Sequence, residues 1–318
     1  MTAARATPLR QRDLPRALLA RSAWRGLPPV LRTWTLVVAA AWCVGQWPNP
    51  LVWIAAAIAI GVLQHSLVVL AHHSQHFELA DSRRLNDAVG TWLLHAPLLN
   101  ALRQQRFIHF QHHARLGQDD DPDRYYYDLA LHGRETGAGL RRWALLFFAG
   151  GVLVPNLQKL LRGRYARDVG GRGVAALGPG DVAAIAVCQL VLIATFWALT
   201  GHVFAWALLW VAPMLTVAAG LNGVRSTLEH ADRGAPPERM LTFAPNRLER
   251  AVLGPVNMNY HWEHHRFIAV PFYHLPAVRE LLLAEHDLAP ARLVPGYLRR
   301  FAELSAAATA PASRSLAS

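Results

Sequence analysis

The sequence predicts an all-α integral membrane protein, with four transmembrane helices in two hairpins beneath a cytoplasmic helical cap. Three observations carry that expectation. Hydrophobic residues make up 53% of the 318 and charged ones only 17%, against roughly 25% charged in soluble domains. No Asp, Glu, Lys or Arg occurs from residue 33 to 77 or from 182 to 224, and each tract is about twice the ~20 residues that cross a bilayer as helix. The basic excess, 32 Lys+Arg against 21 Asp+Glu, flanks those tracts. Arg5, Arg10, Arg12, Arg16, Arg21, Arg25 and Arg32 precede the first, and Arg225 follows the last. Such flanks match positive-inside orientation; a nucleic-acid partner would want the charge in one surface or motif. A soluble fold and a nucleic-acid role are excluded.

Residues 1–31 read as a basic cytoplasmic arm with little apolar periodicity, and without the cleavage pattern of a signal peptide. A domain at 32–290 follows, then an extension and loose tail at 291–318. The first crossing is expected at 31–47 and the second at 51–71. Pro48, Asn49 and Pro50 turn the chain between them, since Pro ends helices and Asn tolerates turn geometry. The stretch 89–102 suits an amphipathic helix on the membrane surface. Residues 143–156 are apolar with basic flanks on both sides, which favours a re-entrant or surface-lying element over a crossing. Crossings three and four are expected at 182–199 and 203–221, turning at Thr200, Gly201 and His202. Cys43 and Cys188 both lie in apolar tracts, so no disulfide framework or CxxC metal site exists.

Twelve of the 16 histidines fall near the cytoplasmic ends of these crossings. HHSQH supplies His72, His73 and His76. His72 and His76 are four apart and share one helical face, whereas His73 points about 100° away. His65 shares that face about 10 Å deeper and is read as a pocket residue. HFQHH supplies His109, His112 and His113, and HWEHH supplies His261, His264 and His265. Both are HxxHH, which spreads three imidazoles across one helical face. His230 joins them because the topology returns the chain to the same membrane face just before it. His274, between Pro271 and Pro276, suits a role in shape or substrate contact. Nine imidazoles exceed the needs of one ion and suit two, with iron, copper, zinc or nickel as candidates. Glu229 and Glu263 stand beside the array and suit outer partners for ring N–H groups. The HExxH pattern of zinc hydrolases is absent. The acidic run at 119–123 reads as a solvated loop. A His-rich metal transporter is the remote alternative, disfavoured because the crossings hold few polar residues beyond His65, Gln189 and His202.

With HxxxH at His72–His76 and HxxHH at His109–His113 and His261–His265, and paired crossings before the first and the third, the sequence resembles the membrane fatty acid desaturase superfamily. Its third motif, within NMNYHWEHHRFIAVPFYHLP, is similar to that of bacterial acyl desaturases and desaturase-like carotenoid hydroxylases. The resemblance implies two non-haem iron ions held by the nine histidines, with O2 as co-substrate. It also implies an external ferredoxin-, rubredoxin- or cytochrome-like electron donor with its reductase. Two departures stand out: His73 replaces an acidic residue common after the first box histidine, and Ser226 stands where some relatives have an Asn ligand. Asn257 is a candidate substitute for the latter. Desaturation of a lipid acyl chain is the favoured reaction, and hydroxylation of a lipid, hydrocarbon or carotenoid is the alternative. The expected location is a bacterial inner membrane, with both termini and the site facing the cytoplasm.

Overall fold

The computed structural model describes residues 8–118, 120–123, 139–150, 177–230, 240–289 and 292–307. In chain order its helices are α1 (Ala23–Gln46), α2 (Pro50–Gln75), α3 (Arg83–Val89), α4 (Leu102–Ala114), α5 (Gly139–Phe148), α6 (Pro179–Thr200), α7 (Ala207–Glu229), α8 (Arg247–Val252), α9 (His261–Arg266), α10 (Leu275–Ala284) and α11 (Tyr297–Ala307). The two-residue strands β1 (Thr242–Phe243) and β2 (Leu293–Val294) pair in parallel, Thr242 opposite Leu293. The described residues are thus mostly helical, with almost no strand. Four helices, α1, α2, α6 and α7, are long and apolar enough to cross a membrane.

Helix α2 is the central one of the four and packs against α1 and α7, while α1 also packs against α6. Small residues let these backbones approach, as expected where no hydrophobic effect drives helices together in lipid. A Cβ on Gly45 of α1 would lie 2.1 Å from the Leu199 carbonyl oxygen of α6, and one on Gly61 of α2 would lie 2.5 Å from Val217 Cβ of α7. The outward faces remain apolar, with Leu36, Val38, Trp42, Ile54, Leu190 and Trp197 all exposed. Inside the bundle the glutamine amides donate to backbone carbonyls. Gln64 donates to the Trp210 carbonyl at 2.8 Å, and Gln189 donates to those of Ala96 and Pro97.

Helix α1 begins at Ala23, earlier than the apolar tract suggests, and contains Pro28 and Pro29. The prolines lack the N–H groups that would bond the carbonyls of Trp24 and Arg25; both of those residues are exposed. The basic arm is also structured from residue 8. Leu9 and Leu14 are buried, the Leu9 N–H donates to Asp287, and Arg266 donates to the Leu9 carbonyl.

Residues 89–102 do not form a separate surface helix. The chain runs from α3 through a π turn (Gly90–His95) and a 3-10 turn (Ala96–Leu98), ending at Leu99 with φ 60°. Spanning-helix side chains grip this segment: Trp34 donates to the Leu93 carbonyl, and Trp210 and Gln189 donate to that of Pro97. Irregular backbone at this level needs such protein partners. Of the ambiguous stretch 143–156, α5 and the turn to Gly150 pack against α7, and residues 151–156 lie outside the described residues. Helix α7 carries π turns at Ala207–Val211 and Met214–Ala218. They flank Pro213, whose missing N–H breaks the α-helical ladder there.

Candidate metal centre

Helices α2 and α7 run past their apolar tracts to Gln75 and Glu229, carrying His72, His76 and His230 to the level of α4 and α9. One set of imidazoles comprises His72, His76, His109, His113 and His264, whose ligand nitrogens lie within 4.8 Å of one another. A second set comprises His112, His230 and His265, by the same measure. His261 extends it, its Nε2 standing 3.1 Å from His230 Nε2 and its ring 4.5 Å from that of His265. The sets meet where the rings of His113 and His265 stack at 4.2 Å. All nine imidazoles read from the three motifs and His230 are therefore contiguous.

The spacing suits coordination. Imidazole nitrogens ~2.1 Å from one ion at right angles stand about 3 Å apart. The Nε2 separations are 2.8 Å for His76–His109, 2.9 Å for His109–His113 and 3.1 Å for His230–His261. His264 Nε2 and His265 Nε2 are buried without a hydrogen-bond partner among the described residues, and an ion would satisfy both. Burial, then the neighbouring imidazoles, hold His109, His261, His264 and His265 well below the ordinary 6.5, and His113 at about 3. The rings therefore stay neutral and keep the lone pairs a metal requires. Nitrogen donors of this kind suit iron, copper, zinc or nickel.

Carboxylates stand behind the rings. His112 Nδ1 lies 2.8 Å from Asp121 Oδ1. Burial opposes charge on this ring, but Asp123 and the Asp121 hydrogen bond outweigh it and raise the pKa. Asp121 is buried and also accepts from the Gly117 and Asp123 N–H groups, so this member of the acidic run is not solvated. The sequence reading missed Asp121, and its signal was a carboxylate close after HxxHH. It also missed Glu78, buried two residues past His76. Glu78 lies 2.9 Å from His73 Nδ1 and accepts from the Phe272 N–H. Burial raises its pKa, with His73 opposing.

Among the outer candidates, Glu229 lies 3.4 Å from His261 Nδ1 and is held by Arg225 and Tyr297. Glu263 instead pairs with Arg279 at 2.7 Å. His73 stacks on Phe272 and faces His264 at 6.1 Å. His65 is buried with Nδ1 2.9 Å from the Val252 carbonyl, outside both sets. Asn257 bonds Arg250 and the Phe272 carbonyl rather than approaching a ring. His274 packs beside Tyr273, whose hydroxyl accepts from the Ser22 N–H, so this segment braces the start of α1.

Two cavities reach the rings. One, of about 180 Å³, lies against His72, His109, His112 and His261, with Val68, Ile108 and Met258 beside polar Gln75, Gln105, Asn222 and Arg225. The other, of about 620 Å³, meets His113 and His265 between Leu9, Leu116, Met240 and Trp262.

Comparison with known proteins places the chain in a family. The chain is 26% identical to dihydrorhizobitoxine desaturase of Bradyrhizobium elkanii over 273 residues, covering 81% of this chain and 71% of that protein. It is 25% identical to beta-carotene ketolase of a Paracoccus species over 279 residues, covering 84% of this chain and 96% of the relative. A shorter match, 29% over 113 residues, links it to the chloroplastic omega-3 fatty acid desaturase of Brassica napus, covering 36% of this chain and 28% of that protein. The family model described as fatty acid desaturase matches residues 48–294, which bears out the resemblance carried by the three histidine motifs: the chain is a membrane protein of the fatty acid desaturase family.

Proposed function

We propose that this protein is an oxygen-dependent diiron desaturase that introduces a double bond into a lipid acyl chain, using electrons from an external ferredoxin-, rubredoxin- or cytochrome-like donor. The observation that carries the reading is the meeting of two imidazole sets at the His113–His265 stack, with a cavity reaching the rings of each set. His72, His76, His109, His113 and His264 would hold one iron, and His112, His230, His261 and His265 the other. When bound, the irons supply, with O2 and two electrons, the oxidising power to remove hydrogen from an unactivated methylene. The protein's share is positioning. Val68, Ile108 and Met258 offer a methylene apolar contact beside the rings, while Asp121 and Glu229 orient His112 and His261 from behind.

In this reading the crossings form two hairpins in a bacterial inner membrane, with termini and histidines on the cytoplasmic side. A transport role fits poorly, because the crossings hold few polar residues and Gln189 among them is tied to the Ala96 and Pro97 carbonyls and to Trp206. Oxygen insertion is the second reading, favoured by the near-full-length match to a carotenoid ketolase.

The test compares lipid extracts from cells making the intact chain or His264→Ala, at matched protein level and with a reductant system, by high-resolution mass spectrometry. Desaturation yields a species two hydrogens lighter that the variant lacks, and purified His264→Ala carries less iron. A product heavier by one oxygen selects the second reading. Unchanged lipids from an iron-loaded, electron-supplied protein overturn both.

A further inference from the structure

A third cavity, of about 640 Å³, lies away from the histidines where α1 and α2 meet α8. Its wall is apolar, from Leu36 of α1 and Val62 and Leu63 of α2, whereas Arg32, Arg247 and Arg250 stand around it. All three arginines are exposed, and none has a carboxylate within ion-pair distance among the described residues. The neighbouring Glu249 is engaged elsewhere, accepting from the Asn246 and Leu298 N–H groups. Among the described residues Arg250 has neutral partners, donating to Asn257 Oδ1 and lying over the Tyr260 ring.

The backbone beneath is strained in a way that serves this cavity. Val256 and Asn257 both line it, with φ of 54° and 62°. A β-branched residue at positive φ is a genuine outlier, and such strain persists only where surrounding contacts impose it. Here Asn257 is held by the Phe272 carbonyl and by Arg250, so the strained corner aims the Arg250 guanidinium. Phe272 closes the cavity on its inner side and stacks on His73 at 4.6 Å, which separates the occupant from the imidazole sets.

We infer that this cavity binds an anionic phospholipid, its phosphate among Arg32, Arg247 and Arg250 and an acyl chain along Leu36 and Leu63. Guanidinium groups bind phosphate oxygens in bidentate fashion, and three with no counter-charge among the described residues, beside an apolar wall, match a ligand with an anionic head and a hydrocarbon tail. This seat is independent of the metal chemistry proposed above.

The test is native mass spectrometry of the full chain in neutral detergent, titrated with phosphatidylglycerol, phosphatidylcholine or glycerol phosphate. Phosphatidylglycerol is expected to remain bound and phosphatidylcholine to dissociate. The double variant Arg247→Gln/Arg250→Gln should bind phosphatidylglycerol about 30-fold more weakly, roughly fivefold for each guanidinium near a charged lipid surface. Arg299→Gln, on α11, should bind as the parent does. Arg32→Gln, on a different helix, should lose about fivefold and carries the test if the double variant aggregates. Equal retention by these variants overturns the proposal, as does equal retention of phosphatidylcholine. Displacement of the lipid by equimolar glycerol phosphate overturns it too, because the site would then read a free phosphate.

Discussion

Asp121 sets the tautomer of His112. Its carboxylate accepts the Nδ1–H, which leaves Nε2 with its lone pair toward the second imidazole set. Asn in its place keeps the size but offers a weaker, neutral acceptor. Loss of such an outer partner typically lowers metal affinity about 10- to 100-fold. Asp121→Asn should therefore surrender iron to a competing chelator at a concentration lower by that factor, with gel filtration reporting whether the fold persists. Unchanged iron retention would reduce Asp121 to a brace for the Gly117 loop. Glu263 makes the opposite point at the same scale. It lies inside HWEHH, yet its carboxylate turns to Arg279, so proximity in sequence did not make it a ring partner.

At the scale of elements, the bundle depends on close approach between α1, α2, α6 and α7. Helix α1 meets α6 at Gly45, where an added Cβ collides with a backbone carbonyl rather than with a side chain able to rotate away. Overpacking costs about 1–3 kcal/mol in ordinary cores, and a rigid backbone neighbour places Gly45→Val at the upper end or beyond. Thermal unfolding in detergent should show a markedly lower midpoint for Gly45→Val than for the exposed-face change Leu190→Val. Matching midpoints would mean that α1 and α6 can separate without cost. The segment at residues 89–102 belongs here as well. Its apolar residues suggested an amphipathic surface helix, but Trp34, Gln189 and Trp210 donate to its carbonyls. Those donors stand 55 or more positions away in sequence, and no local pattern announces them.

For the whole molecule, gathering neutral imidazoles couples stability to pH. His109, His113, His261, His264 and His265 titrate below 6.5 when folded, His113 at about 3. The unfolded chain therefore takes up protons first as the pH falls, and stability drops wherever the unfolded state binds more of them. The metal-free protein should lose stability below pH 6.5, continuing toward about pH 3. His112 runs the other way, its raised pKa contributing stability that is lost as pH rises through it, but it is one ring against five. Melting temperatures of chelator-treated protein across this range should fall steadily. Iron-loaded protein should hold its midpoint to lower pH, because bound metal competes with protons. A flat metal-free profile from pH 7 to pH 5 would contradict the shared burial of the rings.

The crossings and the placement of the histidines were legible in the sequence, for a physical reason. A bilayer excludes charge over a fixed thickness, so charge-free tracts mark spanning helices, and a spacing of three or four puts imidazoles on one helical face whatever that helix packs against. The three motifs also sufficed to recognise the family. Tertiary structure alone decided which ring meets which: His264 joins the rings of α2 and α4, while its neighbour His265 joins His112 and His230. It alone buried Asp121 and Glu78, docked the arm at Leu9 onto Asp287 and Arg266, and carried Asn257 away from the rings to Arg250. Spacing along the chain selects a face. The partner of that face is selected by how helices distant in sequence cross, and by which polar groups the crossing removes from water.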